Sequence, residues 1–444
     1  MSESVSRPTV SQRFARFIGA TLTESVPEPV AAFAQERILD TLSTAIAASG
    51  LPVPSLASQL IGNTAGPATI IGRRTTVPTV DAAFINALLV NGRTQDDFLC
   101  KSHPGAVTLP AALAIADEFG GSGKDLIAAI AVGYEVVGRI YLGGPGMLPK
   151  FRATGVAGTL AAAATAARML RLDETQIVNA LGCAAVFASG FGAGFLTGTM
   201  EVKLNVGMAC RNGVTAALLA RAGATASPLA FEGEAGFYHA FAGSTEQVDA
   251  ATEGLGEHYL IEETIYKEFP ICIFIQTPVA LTLMLASEHR IEPHKIGRIT
   301  VTVSDLTYTN PGFTNLPPYA SSLKARVSAR FCIAAALLGR PINEFSFYEN
   351  YADAEVLALG ERIDLVRDPA RDDTVKIEIE HGSERLVIEG SEGATLKPDR
   401  DKVVAKYRRL VEPVLGANAA AVEQRVLNLP ALGDLRELTA LLRG

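Results

Sequence analysis

The chain has 444 residues, 48% hydrophobic and 19% charged, with a formal net charge of -8, five Cys and no Trp. A chain this long usually needs more than one hydrophobic core, so two domains are expected, and the mildly acidic, globular composition argues against a nucleic-acid partner. Cys100, Cys183, Cys210, Cys272 and Cys332 fit neither a disulfide framework nor a CxxC zinc pattern, which points to a reducing, cytoplasmic compartment. The opening MSESVSRPTVSQRFARF lacks the apolar region of a signal peptide, and no stretch reaches the ~18 uninterrupted apolar residues of a membrane helix.

From about Arg13 to Ala222 the pattern predicts helix after helix. The segments are PVAAFAQERILDTLSTAIAAS, VDAAFINALLV, AVTLPAALAIADEF, KDLIAAIAVGYEVVGRI, VAGTLAAAATAARMLRL, ETQIVNALGCAAVFASG and GMACRNGVTAALLARAG. Apolar residues recur at three and four, Gly or Pro marks the joints, and the many Ala and Gly allow close helix approach. FASGFGAGFLTGT (187–199) lacks the preceding strand of a dinucleotide loop and any Lys-Ser/Thr pair, so it reads as a packed or flexible loop lining a cleft.

The character changes after Phe269-Pro270. KIGRITVTVSD alternates through Ile299, Val301 and Val303, and TVKIEIEHGSERLVIEG gives two alternating runs around a His381-Gly382-Ser383 turn. Helices TPVALTLMLASEH and SLKARVSARFCIAAALLG lie among them, and RDKVVAKYRRLVEPVLG returns to helix. The expected fold is therefore mainly α: a large all-helical domain over 1–269, completed by 401–444, and a smaller α+β lid domain over 270–400.

Between two apolar helices, QDDFLCKSHPG (95–105) concentrates titratable groups in a loop, where catalytic residues on rigid scaffolds gather. His103 beside Asp96 and Asp97 is a general acid-base candidate. Pro104-Gly105 starts the next helix with amide donors free for an anion. The plainer alternatives are a helix cap for Asp96, a solvated Lys101 and an inert Cys100. No metal site is expected, since Asp97 and His103 have no evident third ligand and no HExxH motif occurs.

NGRTQDDFLCKSHPGAVTLPAALAIAD resembles the signature of the MmgE/PrpD family. Matching blocks follow in the same order: ERILDTLSTAIAASG near the start, VGYEVVGRI, FRATGVAGTLAAAATAARMLRL, LNVGMACRNGVTAALLARAG and KEFPICIFIQTPV. The resemblance implies a homodimer of two-domain subunits and a cofactor-free acid-base site in the cleft between the domains. It also implies action on small polycarboxylates, by loss of water or carbon dioxide or by proton movement beside a carboxylate. His103 then matches the family histidine, Lys267 in KEFP its lysine, Asp96 and Asp97 its double acid, and Tyr308 its active-site tyrosine. Thr94 stands where relatives carry a further acid, Phe98 where a threonine often follows, and Arg152 where the FHP histidine is expected. The lysine before LNVG falls on Val202, with Lys203 beside it.

The resulting expectation is a lyase in which His103 is the general acid-base, oriented by Asp97, with Lys267 and Tyr308 as partner acid or base. Asp96, Arg152 and Lys203 would bind substrate carboxylates, Arg152 through a planar two-point grip. An isomerase or epimerase on a substituted succinate and a catalytically silent polycarboxylate binder stay open as alternatives. Asp40 is expected to be a structural acid, and Glu232 and His239 loop or packing residues. Helix-start and exposed-surface readings compete for Arg152 and Lys203.

Overall fold

The computed structural model describes residues 7–443 apart from Asn63 and Pro398. Its centre is the helix Ala153–Met169, every residue of which is buried. A helix apolar on all sides belongs inside a larger bundle. Gly123–Leu142 and Glu201–Arg221 pack on it, and Thr79–Gly92 and Gly105–Phe119 complete the layer. The small residues decide how close these helices come. A Cβ on Gly213 would lie 2.4 Å from the carbonyl oxygen of Thr159 and 2.6 Å from Ala162 Cβ, so glycine is required at that crossing.

Two features interrupt the expected run of helices. The Gly/Pro-bounded, β-branched segment GPATIIGRRTTVP folds into two short antiparallel strands, Ala68–Thr69 and Thr76–Val77. An extra helix, Pro52–Ile61, precedes it. Helix Glu201–Arg221 also starts six residues ahead of the GMACRNG segment. Within 187–199 only particular glycines are hemmed in: Cβ atoms on Gly190 and Gly192 would lie 2.5 Å from Asn205 and 2.4 Å from the Pro149 carbonyl oxygen, whereas Phe191 between them is 75% exposed.

The alternating runs form a four-stranded sheet in the order Ile363–Arg367, Ile296–Val303, Thr374–His381, Glu384–Ser391. The two latter pairings are antiparallel, with Ile299 opposite Ile379 and Val301 opposite Ile377; Ile299, Val301 and Val303 are fully buried. Ile363–Arg367 pairs in parallel at the edge. It was not expected, because IDLVR is short and its charges suit a strand edge exposed to water. Helix Ile273–His289 covers the sheet. SLKARVSARFCIAAALLG is two helices rather than one, Ser322–Arg326 and Ala329–Leu337, since Ser328 accepts from the Phe331 amide and caps the second.

Among the described residues there are two large buried apolar clusters. One draws on residues 10–266 and again on 403–442; the other lies within 269–386. The last stretch, beginning with helix Arg400–Leu415, returns to the first cluster through Tyr407, Val411, Leu429, Leu435 and Leu438. Where the chain crosses between the clusters, the Tyr266 amide donates to the Leu396 carbonyl at 3.1 Å, so outgoing and returning segments lie side by side. No helix among the described residues is long and apolar enough to cross a membrane.

Candidate active site

The loop after Thr79–Gly92 is held by its own backbone. Leu99 and Ser102 exchange reciprocal amide-carbonyl bonds around Cys100 and Lys101, at φ 44° and 62°. Two positive φ angles in a two-residue connection are the type I′ pattern. Phe98 pairs with Ile265 of the crossing segment, and the His103 amide donates to Thr154 Oγ1 at 3.2 Å. His103 is thereby fixed between the loop, the central helix and the crossing.

The backbone carbonyl of Asp97 lies 2.9 Å from His103 Nδ1, and Asp96 Oδ2 lies 3.2 Å from the same nitrogen. A carbonyl can only accept, so Nδ1 carries the proton and Nε2 keeps its lone pair. Phe98 meets the ring edge-on, with centroids 5.4 Å apart. It is Asp96, rather than Asp97, whose carboxylate approaches the imidazole. The Asp97 carboxylate turns away, accepting from the Tyr134 hydroxyl and, at 3.1 Å, from the Gly105 amide. The helix-start donor anticipated for an outside anion thus serves an internal one. Glycine is needed there, because a Cβ on Gly105 would sit 2.4 Å from Thr41 Oγ1 and 2.9 Å from Asp97 Oδ1.

Cations surround this pair. Asn91 gathers three of the charged groups: its amide nitrogen donates to Asp96 Oδ2 at 2.8 Å, its side-chain oxygen accepts from Arg152 at 3.3 Å, and its carbonyl from Lys203 Nζ at 2.6 Å. Lys203 also reaches Thr94 Oγ1 at 3.0 Å, so it and not Val202 points into the cluster. Arg152 does begin a helix, yet its residue is only 5% exposed. Lys267, 1% exposed, approaches the Thr94 carbonyl at 3.5 Å and lies 5.9 Å above the Phe98 ring. Arg326, from the α+β part, donates to the Arg93 carbonyl at 2.8 Å and to Thr94 Oγ1.

Burial pushes His103 down to about 4, against the pull of Asp96. Burial acts to raise Asp96, but His103, Lys267 and Lys203 together hold it below the carboxylate range. Burial lifts Asp97 to about 6 in spite of its Tyr134 bond, and lowers both Lys203 and Lys267. A neutral imidazole beside an ionised Asp96 and several cations can exchange a proton while anionic groups are held next to it. A protonated imidazole cannot accept a proton, and the depressed value keeps His103 in its base form from about pH 5 upward. Its ring resonances are therefore expected to titrate near pH 4. Titration at 6.5 or above would show a solvated imidazole and remove the argument for a poised base.

Tyr308 does not join the cluster. It closes the short helix Asp305–Tyr308 and packs against the second apolar core, and among the described residues no hydrogen bond links its hydroxyl to His103 or its neighbours. Glu232 accepts from the Val10 amide and His239 is exposed, in keeping with structural readings. Asp40 pairs with buried Lys406 at 2.7 Å. Asn91, Tyr134, Thr154, Arg326 and Lys406 were missed. For Lys406 the sequence signal was a charge inside the apolar helical run VVAKYRRL. Grooves of about 450 Å³ beside Arg168 and Arg171, and about 990 Å³ beside Glu253 and Glu257, include no residue of the cluster. Among the described residues no group of three or more His, Cys, Asp or Glu is placed to hold a metal ion.

A helical bundle is joined to an α+β part, and a histidine-carboxylate pair with cationic neighbours lies where the two meet. Residues 12–248 match the MmgE/PrpD N-terminal domain and 269–429 the MmgE/PrpD C-terminal domain, and the chain belongs to the MmgE/PrpD family. It is similar to the cis-aconitate decarboxylase of Homo sapiens, 26% identical across 98% of this chain and 95% of the relative. It is also similar to that of Aspergillus terreus, 23% identical across 99% and 97%.

Proposed function

We propose that the protein is a cofactor-independent lyase that removes carbon dioxide or water from a small polycarboxylate, working as a cytoplasmic homodimer. The observation that carries this reading is the His103 imidazole, its Nδ1 proton committed to Asp97 O and Asp96 and its Nε2 lone pair uncommitted, beside Arg152, Lys203 and Lys267. In this reading Arg152 and Lys203 bind substrate carboxylates. Nε2 takes or returns a proton at the carbon beside a carboxylate, and Lys267 disperses the enolate-like charge that develops there. Asp96 steadies the imidazole from within, and Asp97 anchors the loop. The relatives named above are decarboxylases, which favours loss of carbon dioxide over epimerisation. The α+β part serves as a lid that brings Arg326 to the cluster.

The test is proton NMR in deuterated buffer with a panel of aconitate-like, citrate-like and substituted succinate acids. At least one acid should give a product carrying solvent deuterium beside a carboxylate. Thr94, Phe98 and Val202 favour a second reading, a silent polycarboxylate binder. Calorimetric binding with neither product nor isotope exchange across the panel would decide for that binder.

A further inference from the structure

Phe98 touches two of the groups from which the site is built. Its ring crosses the His103 imidazole at 68° with centroids 5.4 Å apart, and Lys267 Nζ lies 5.9 Å from the centre of the same ring. An aromatic face attracts a cation at that range, while the hydrocarbon of the ring gives an imidazole no conventional hydrogen bond.

The ring is firmly seated for one carried on a loop. The Phe98 amide donates to the Ile265 carbonyl at 3.2 Å, and its carbonyl accepts from the Ile265 amide at 2.8 Å, two residues before Lys267. Phe98, Ile273 and Leu396 form a third, small buried apolar cluster with Ile265, Cys272 and Phe274 packed on it. The His103 loop, the crossing segment, the start of helix Ile273–His289 and the returning segment each give this cluster a side chain.

The His103 side chain retains 13% exposure, so its state depends on what covers it. The groups facing it are Asp96 and the Asp97 carbonyl on its own loop, Arg152 at the start of the central helix and Lys267 on the crossing segment. Asp96 favours a protonated ring and the two cations oppose it. Phe98 acts on the same balance by putting hydrocarbon where water would otherwise solvate an added proton. Removing the ring would act twice in one direction, since water would enter and Lys267 would lose the face it rests on.

We propose that Phe98 is a positioning residue that acts through His103, keeping water off the imidazole so that the ring stays a neutral base beside the site's cations. This rests on the reading of His103 as the acid-base group.

The experiment is proton NMR titration of the His103 ring in the full chain carrying Phe98→Thr or Phe98→Leu, with the resonance assigned by its loss on adding His103→Gln. Leucine keeps apolar cover and threonine brings a hydroxyl and room for water, so the pair separates covering from mere loss of the aromatic ring. The midpoint should rise in Phe98→Thr by about one unit or more, toward the ordinary imidazole value of about 6.5, and by less than half as much in Phe98→Leu. An unchanged midpoint in Phe98→Thr overturns the proposal, as does an equal rise in both variants. Should Phe98→Thr not fold, Phe98→Val carries the test: its shorter side chain uncovers the imidazole in part, and a midpoint no higher than that of Phe98→Leu overturns the proposal. All of these outcomes leave the acid-base reading standing; a midpoint of about 6.5 or above in the unaltered protein overturns both.

Discussion

His103→Gln is expected to lower turnover of any acid the protein converts by roughly 10²–10⁴-fold, the range that a positioned general acid-base supplies, while the melting temperature moves by only a few degrees. Glutamine can still donate to the Asp97 carbonyl and to Asp96, which lie 2.9 and 3.2 Å from Nδ1 in the native loop. It has no basic lone pair to replace Nε2, so the loss should fall on turnover and not on the fold. Steady-state kinetics beside thermal unfolding would check both halves. A variant keeping more than half the native rate would remove His103 from the chemistry, and an insoluble one would reassign it to packing.

Lys406→Met should have the largest effect on stability, a loss of about 3–5 kcal/mol, as expected when one partner of a buried ion pair is deleted and the other stays without compensation. Lys406 and Asp40 are 0% and 1% exposed and 2.7 Å apart. The same ammonium donates to the carbonyls of Gln95 and Lys267 at 2.9 and 2.8 Å, joining the returning C-terminal helix to the His103 loop and to the crossing segment. Denaturant unfolding measures the loss, and Lys406→Met with Asp40→Leu should recover part of it because no charge is then stranded. A single-variant loss under about 1 kcal/mol would show that Asp40 is compensated some other way.

The helical scaffold was legible because Ala- and Gly-rich segments keep a three-four spacing over many turns; in Ala153–Met169 no competing pattern exists. The sheet's centre was legible for the same kind of reason, as Ile299, Val301 and Val303 alternate strictly. Its edge strand was not, since Ile363–Arg367 is defined by pairing to a distant partner and not by its own pattern. The site divides likewise. Asp96, Asp97 and His103 are near in sequence and could be singled out together, but which carboxylate faces the imidazole depends on Tyr134 and Gly105 drawing Asp97 away. Asn91 and Arg326 carry no local mark, because their importance arises only where helix, loop and α+β part converge on Thr94.

The first apolar cluster is built from two stretches separated by the whole α+β part, and Tyr407, Val411, Leu429 and Leu438 close it from the far end of the sequence. On a ribosome adding roughly 5–20 residues per second, the interval between making Tyr266 and making Tyr407 is on the order of ten seconds. Throughout that interval the nascent bundle presents the apolar surface that those side chains will cover, and Asp40 awaits the ammonium of Lys406. The chain's greatest exposure to aggregation and to chaperone capture therefore falls during its own synthesis, before the last helices dock.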